Sequence, residues 1–533
     1  MTTTKRFMTG VASVVAALGL AACSTGAAST TTEATSSTSA TSSATAGSAT
    51  TAEDAAATGE TGATASSELL TDNVESHAES DDADYDAAEA STITLADGAS
   101  ETTAASGVSI DGDTITISEP GTYVLSGSLS DGTVVVNSEA EGKVRLVLDG
   151  AEIASSAGAA INIVAADEAV VVLADGTTNS LADGSGYDTS ADDAPNAALY
   201  SMADLTVAGT GSLTVTGNTN NAINSKDGLV ILGGTITATS VDDGIVANDY
   251  VIIEGGSVSV TAQGDAMKGD KEDDDTVGYI LVTGGTVEVS AGDDGFHAEG
   301  DLGILGGTVT VTESSEGLEG ANLVIEGGDT TVTASDDATN ATSGSSSGGG
   351  GMGGGGMGDD GSQLVISGGT LVLNSGGDGL DSNGNVTITG GTTIVNGPTQ
   401  DGNGALDANG GITIDGGTVI ATGSAGMAEA PDSASAQGWL QLSFDSAVTA
   451  GTTISIVSGD TVIASYTTVK DVYNVVLAAD GITAGETYEV YLGGSLAEAT
   501  VGTYSAGGSI DGATLAGEVT AGQATGGGMG GGR

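Results

Sequence analysis

One cysteine, four prolines, one tryptophan and three phenylalanines in 533 residues deprive this chain of several common ways of holding a fold together. A lone thiol, Cys23, cannot close an intramolecular disulfide, so no disulfide framework is available. Basic residues are scarce as well: nine Lys plus Arg stand against 72 Asp plus Glu, a formal net charge of -63. Phosphate binding depends on clustered cations, so this balance argues against nucleic acid as a partner. Beyond residue 22 no run is long and apolar enough for a membrane-spanning helix, and helical periodicity is missing. What remains plentiful is glycine, with 89 residues, and much of it recurs at fixed spacing.

A Gly-Gly pair falls at 233, 255, 284, 306, 327, 368, 390 and 416, most steps being 21 or 22 residues. Around each pair the unit is an acidic corner, a short strand, the Gly-Gly turn and a second strand. Segment 241–260, VDDGIVANDYVIIEGGSVSV, returns at 292–311 as GDDGFHAEGDLGILGGTVTV. A unit of this size cannot bury its own apolar face and must stack on its neighbours. Strands such as Thr286-Val287-Glu288-Val289 alternate with period two. Short strands and glycine corners with no room for a helix predict an all-β chain: a right-handed parallel β-helix with a period of about 22 residues. Two longer steps are corner insertions, an acidic loop from Asp270 to Gly278 and a Gly/Met/Ser run at 343–361. Insertions on one rim of a solenoid tend to decorate its binding face.

The ends read differently. Residues 1–22 carry Lys5 and Arg6, then an apolar run, and form a secretion signal. Leu20-Ala21-Ala22-Cys23 resembles the bacterial lipobox, which implies cleavage before Cys23, lipid attachment to its sulfur and an extracellular, membrane-anchored protein. Residues 23–95 are Ser, Thr, Ala, Gly and acids, read as a disordered tether. The β-helix is expected over 96–430. Alternating strands such as Leu440-Gln441-Leu442-Ser443-Phe444 predict a small antiparallel β domain over 431–506 that caps the last coil, followed by a Gly-rich tail at 507–533.

Aligned on their Gly-Gly turns, the units bring Asp243, Asp265, Asp294, Glu316, Asp337 and Asp378 to one corner position. Asp242, Asp293 and Asp336 precede three of them. Glu319, Asn340 and Asp381 follow three residues on, and Asp249, Asp270, Asp301 and Asn322 lie a little beyond, with Glu299 nearby. Equivalent positions on successive coils stack about 4.8 Å apart. Carboxylates so placed repel one another, and a hard cation about 2.4 Å from each oxygen bridges that gap. All-oxygen ligands, with only His77 and His297 in the chain, favour Ca²⁺ over Zn²⁺ or copper. The metal candidates are therefore Asp242, Asp243, Asp265, Asp270, Asp293, Asp294, Glu299, Asp301, Glu316, Glu319, Asp336, Asp337, Asp378 and Asp381. The bland alternative is that these are Asx turns whose side chains merely cap backbone.

Three stretches carry a family resemblance: Ile117–Gly127 (ISEPGTYVLSG) leading to Lys143–Gly150 (KVRLVLDG), Ala197–Ser201 (AALYS) leading into the Asp-Asp-Gly repeats, and Gly485–Gly494 (GETYEVYLGG). In wording and order they resemble secreted carbohydrate-binding β-helix proteins related to a clostridial cellulose- and acidic-sugar-binding protein. That family is similar in fold to pectate-lyase-type polysaccharide lyases. The resemblance implies bound calcium and affinity for a pectin-like polysaccharide or cellulose, without implying catalysis. A lyase would need a base to take the proton α to a uronate, for which Lys268 is the first candidate, with Lys226 and Lys271 behind it. Acidic neighbours would hold Lys268 charged, which disfavours that role. His297 reads as a structural or minor ligand. The tyrosines at 187, 200, 250 and 279, with Trp439, make a thin aromatic platform for sugars. The leading expectation is a monomeric, lipid-anchored polysaccharide binder, with a calcium-dependent lyase and a calcium-stiffened stalk as alternatives.

Overall fold

The computed structural model describes residues 66–191, 194–271, 274–343, 358–499 and 501–525. Its coils have three strands each, as in Gly228–Ile231, Thr235–Ser240 and Ile245–Ala247, after which Tyr250–Ile253 begins the next turn. Equivalent strands pair in parallel from coil to coil, giving three faces. The first face follows the pattern of Gly228–Ile231, the second that of Thr235–Ser240 and the third that of Ile245–Ala247. This is the expected parallel β-helix. Inward residues stack into continuous columns; on the third face Ile223, Ile245, Met267, Phe296 and Leu318 are all buried.

The Gly-Gly marker has a steric cause. The second glycine of each pair sits at positive φ, 80° at Gly285, and a Cβ there would lie 2.8 Å from the backbone carbon of Gly255 in the coil below. Both the backbone conformation and the stacking of turn on turn exclude a side chain.

Two boundaries differ from expectation. The part of the tether within the described residues is docked on the first face, running back along the coils. Leu70 packs over Gly303, Val74 exchanges hydrogen bonds with Thr276 and Tyr279, and Ala78 joins Val230, Ile252 and Tyr279 in an apolar cluster. Farther along, Lys143 Nζ bonds Glu79 (2.9 Å), Glu168 (3.0 Å) and the buried Asp82. The outward column of this face, Val170, Thr206, Val230 and Ile252, is apolar except for Thr206, which bonds His77, and is buried beneath cover. Composition concealed this strap because specific polar anchors hold it, with few large apolar side chains. Cys23 and the rest of the expected tether lie outside the described residues.

At the other end, Trp439–Val448 and Val472–Ala478 pair antiparallel with each other, and the latter also pairs with the last coil strand, Thr418–Gly423. The expected cap is therefore present, closing the open edge. Its separate five-stranded antiparallel sheet includes Thr514–Thr520, so the expected Gly-rich tail contributes a strand to the cap. Lys470 seals the junction, donating to the carbonyls of Ser375 (2.6 Å), Asn396 (2.8 Å) and Gly397 (3.1 Å).

Candidate functional site: an acidic face

The corner between the second and third faces carries the first carboxylate row. There the Asp265 N–H donates to Asp243 Oδ1 and the Asp294 N–H to Asp265 Oδ1, both at 3.0 Å. The Asp378 N–H likewise donates to Asp337. One oxygen of each of these acceptors thus caps the next coil, as the Asx-turn reading held. The other oxygen remains for a different partner.

The second row lies three residues on, where the third-face strands place Val246, Lys268, His297, Glu319, Asn340, Asp381 and Asp407 in register. Its two halves differ in charge. In the first half Lys268 Nζ meets Asp265 Oδ2 at 3.1 Å and His297 Nδ1 meets Asp294 Oδ2 at 2.9 Å. From Glu319 to Asp407 the row holds three carboxylates and an amide and no basic side chain. The chain's own cations stand in the first half, and His297 alone reaches across to the second, lying 3.6 Å from Glu319 Oε2.

The carboxyl groups respond to that imbalance. Burial first, then Asp337, Asp378 and Asp407 beside it, push Asp381 up to about 8. Burial with Glu316 and Asp294 nearby pushes Glu319 to about 8, against the pull of His297. Asp337 rises to about 7 for the same two reasons, burial and the adjacent Asp378 and Asp336. Burial lowers the tendency of His297 to charge, but Asp294, Glu319 and Asp265 outweigh it and raise the imidazole to about 9. Lys268 is likewise held protonated above its ordinary range, Asp265, Asp243 and Asp270 overcoming burial. A lysine so paired is poorly suited to accept a proton.

On this face two groups of described residues bring ligand atoms within 4.8 Å of one another, Asp265, Asp294 and His297, and Asp294, Glu316 and Glu319; a third, Glu79, Asp81 and Asp82, lies on the strap. The second is all carboxylate. Asn340 donates from Nδ2 to Glu316 Oε2 at 2.9 Å, while its buried Oδ1 has no hydrogen-bond partner among the described residues. An orphaned amide oxygen in register between Glu319 and Asp381 fits the oxygen ligation that Ca²⁺ requires.

Other predicted residues are placed differently. Asp242, Asp293 and Asp336 alternate along their column with Gly264, Ser315 and Gly377. They therefore stand two coils, about 9.6 Å, apart, too far for one ion to bridge. The expected third row does not form. Asp270 and Glu299 share one column, following the paired Gly269 and Ala298, whereas Asp301 lies beside Asn322, which donates to it at 2.9 Å. The 270–278 insertion displaces the corner between them. Asp270 and Asp301 thus stand apart from the two main rows, whereas Glu299 meets His297 Nε2 of the second row at 3.3 Å. Glu299 and Asp301 instead line a 640 Å³ cleft with Lys271, Asp274, Asn322 and Asp360, where both corner insertions meet. Asp407 and Glu429 were missed, although both are raised by burial, Glu429 to about 7. Leu406-Asp407-Ala408 repeats the pattern of Leu380-Asp381-Ser382, which was the available signal. No aromatic platform forms from the expected residues: Tyr200, Tyr250, Tyr279 and Trp439 are buried, and Tyr187, half-buried, donates its hydroxyl to Asp183.

Residues 111–361 match the model of a family described as carbohydrate-binding domain-containing protein. A protein of that description from Acetivibrio thermocellus is 40% identical over 133 residues, which are 25% of this chain and 46% of that protein. The chain thus spans about half the length of this curated relative. A solved structure described as the polysaccharide lyase-like protein from C. thermocellum, a gadolinium derivative, is 31% identical; the match covers 45% of this chain and 93% of that one, with a TM-score of 0.38.

Proposed function

Since residues 111–361 match a carbohydrate-binding domain family, we propose that this chain is a binding module that captures polysaccharide through calcium held on the acidic face. The observation that carries this reading is the surplus of carboxylate on this face: Asp294, Glu316 and Glu319 converge with His297 as their one nearby counter-charge among the described residues, and the amide oxygen of Asn340 is orphaned beside them. A bound cation reverses the local charge and makes the face attractive to the carboxylates of an acidic sugar such as a pectin-like polyuronate. Calcium would be held by Asp294, Glu316, Glu319 and Asn340, and on the following coils by Asp337, Asp378 and Asp381. The signal and lipobox-like segment support display at the outer surface of a bacterial membrane through Cys23, with the protein acting as a monomer.

Binding without turnover is the reading the geometry favours, because Lys268 is tied to Asp265 and firmly protonated. The test is retention on polygalacturonate and on cellulose, with calcium and after chelation, while following ultraviolet absorbance for unsaturated products. Calcium-dependent retention with flat absorbance supports the binder. Rising absorbance that Lys268→Ala abolishes would make it a lyase, and no retention on either polymer would leave a calcium-stiffened stalk.

A further inference from the structure

The contact that fastens the strap to the first coils holds more than an ion pair needs. Asp82 of the strap is wholly buried. Its Oδ1 accepts from Lys143 Nζ, and its Oδ2 accepts from the Glu79 N–H at 2.7 Å. Arg145 stands on the same carboxylate, with Nη2 3.9 Å from Oδ1, and is fixed there by Nε donating to the Asp82 carbonyl at 3.2 Å. On the next coil Glu168, in register with Lys143, brings Oε2 to 3.0 Å from Nζ. The other oxygen of Glu168, Oε1, is buried and has no hydrogen-bond partner among the described residues.

An amine in contact with a buried carboxyl and with a second acid has the parts of an amide-forming site. Burial pulls the Lys143 ammonium down, but Asp82, Glu79 and Glu168 outweigh it and hold the group above its ordinary range. A free amine therefore arises only when a proton passes to a carboxylate that touches it. Glu168 is placed to take that proton, since burial raises its carboxyl. Lys268 offers the contrast. Its partner Asp265 lies three residues away at the same corner, where a link would fasten nothing.

We infer that this cluster is an autocatalytic cross-linking site, in which Lys143 and Asp82 join in an isopeptide bond with Glu168 as proton carrier. The ammonium passes one proton to Glu168, and the freed amine attacks Cγ of Asp82. Charge developing on the carboxyl oxygens meets the Glu79 N–H and Arg145. Glu168 returns its proton and the nitrogen releases a second, and both leave with one carboxylate oxygen as water. The Nζ–Cγ bond forms, one Cγ–O bond breaks, and nothing is oxidised or reduced. Asp82 and Lys143 are 61 residues apart, so the link closes a loop through the strap and the first coils. In a chain without a disulfide framework it takes the place of one. The inference is independent of calcium and of polysaccharide.

The experiment is the mass of the purified protein, intact and after digestion. The expected intact mass is one water below that of the same residues unlinked. Trypsin is expected not to cut after Lys143, and digestion at acidic residues is expected to yield the peptide around Asp82 joined to that around Lys143. Lys143→Arg keeps the charge without a competent nucleophile and is expected to show the full mass. Glu168→Gln keeps the shape without the proton carrier and is expected to slow linkage about a hundredfold. The full mass in the unaltered protein would overturn the inference whatever the variants show. A link from Lys143 to Glu79, or one formed as fast in Glu168→Gln, would overturn the assigned roles.

Discussion

At the scale of single residues, the second row sets two kinds of positive charge against one run of carboxylates. Lys268 and His297 are cations built into the chain, while Asp381 and Asp407 occupy equivalent places with none and Glu319 has only His297, at 3.6 Å. Glu319→Gln removes a carboxylate from the converging group of Asp294, Glu316 and Glu319, and calcium affinity measured by calorimetry is expected to fall about ten- to a hundredfold. An unchanged affinity would place the ion elsewhere. Lys268→Met tests the opposite case, because it leaves the buried Asp265 without its partner. The variant is expected to melt lower than the parent in chelator and to recover in calcium, with one additional ion bound per chain. Loss that calcium does not restore would mean that the lysine has a packing role that no ion can replace.

At the scale of elements, the repeat was readable because its causes are local. Positive φ and close stacking demand glycine at Gly285 and its equivalents, and apolar alternation marks the strands. The corner row was readable for the same reason, since alignment on the turns carries register with it. Column identity beyond the 270–278 insertion was not, because spacing alone cannot show where an inserted corner rejoins the coil. Nor was the strap. His77 reaches Tyr250 (2.8 Å), Thr206 (3.0 Å) and Asp204 (3.1 Å), partners 127 or more residues away in sequence. Such contacts leave no local pattern. His77→Ala removes all three side-chain partners at once and is expected to destabilise strap docking by about 1–3 kcal/mol. Limited proteolysis would then cut between Leu70 and Glu89 several times faster while the coils stay intact. A cleavage rate equal to that of the parent would show that the Lys143 cluster alone secures the strap.

Across the whole molecule, the raised carboxyl groups link stability to pH in an unusual sense. Asp381 and Glu319 titrate at about 8 and Asp337 at about 7 in the folded protein, against about 3.9 to 4.3 for such groups in an unfolded chain. Between those limits the native state binds more protons than the unfolded one, so stability falls as pH rises. His297 acts in the same direction: raised to about 9, it contributes stability that is full below about 6.5 and lost as pH climbs through its folded value. In chelator the thermal midpoint is therefore expected to be higher near pH 5.5 than near pH 8.5, the reverse of an acid-labile protein with paired carboxylates. Calcium competes with those protons for the same oxygens, so its stabilising effect is expected to be largest at the alkaline end and to flatten the profile. Scanning calorimetry at both pH values, with and without calcium, measures this directly. A midpoint that rises with pH in chelator would mean that the acidic face is neutralised by the chain itself, and the need for a metal would disappear.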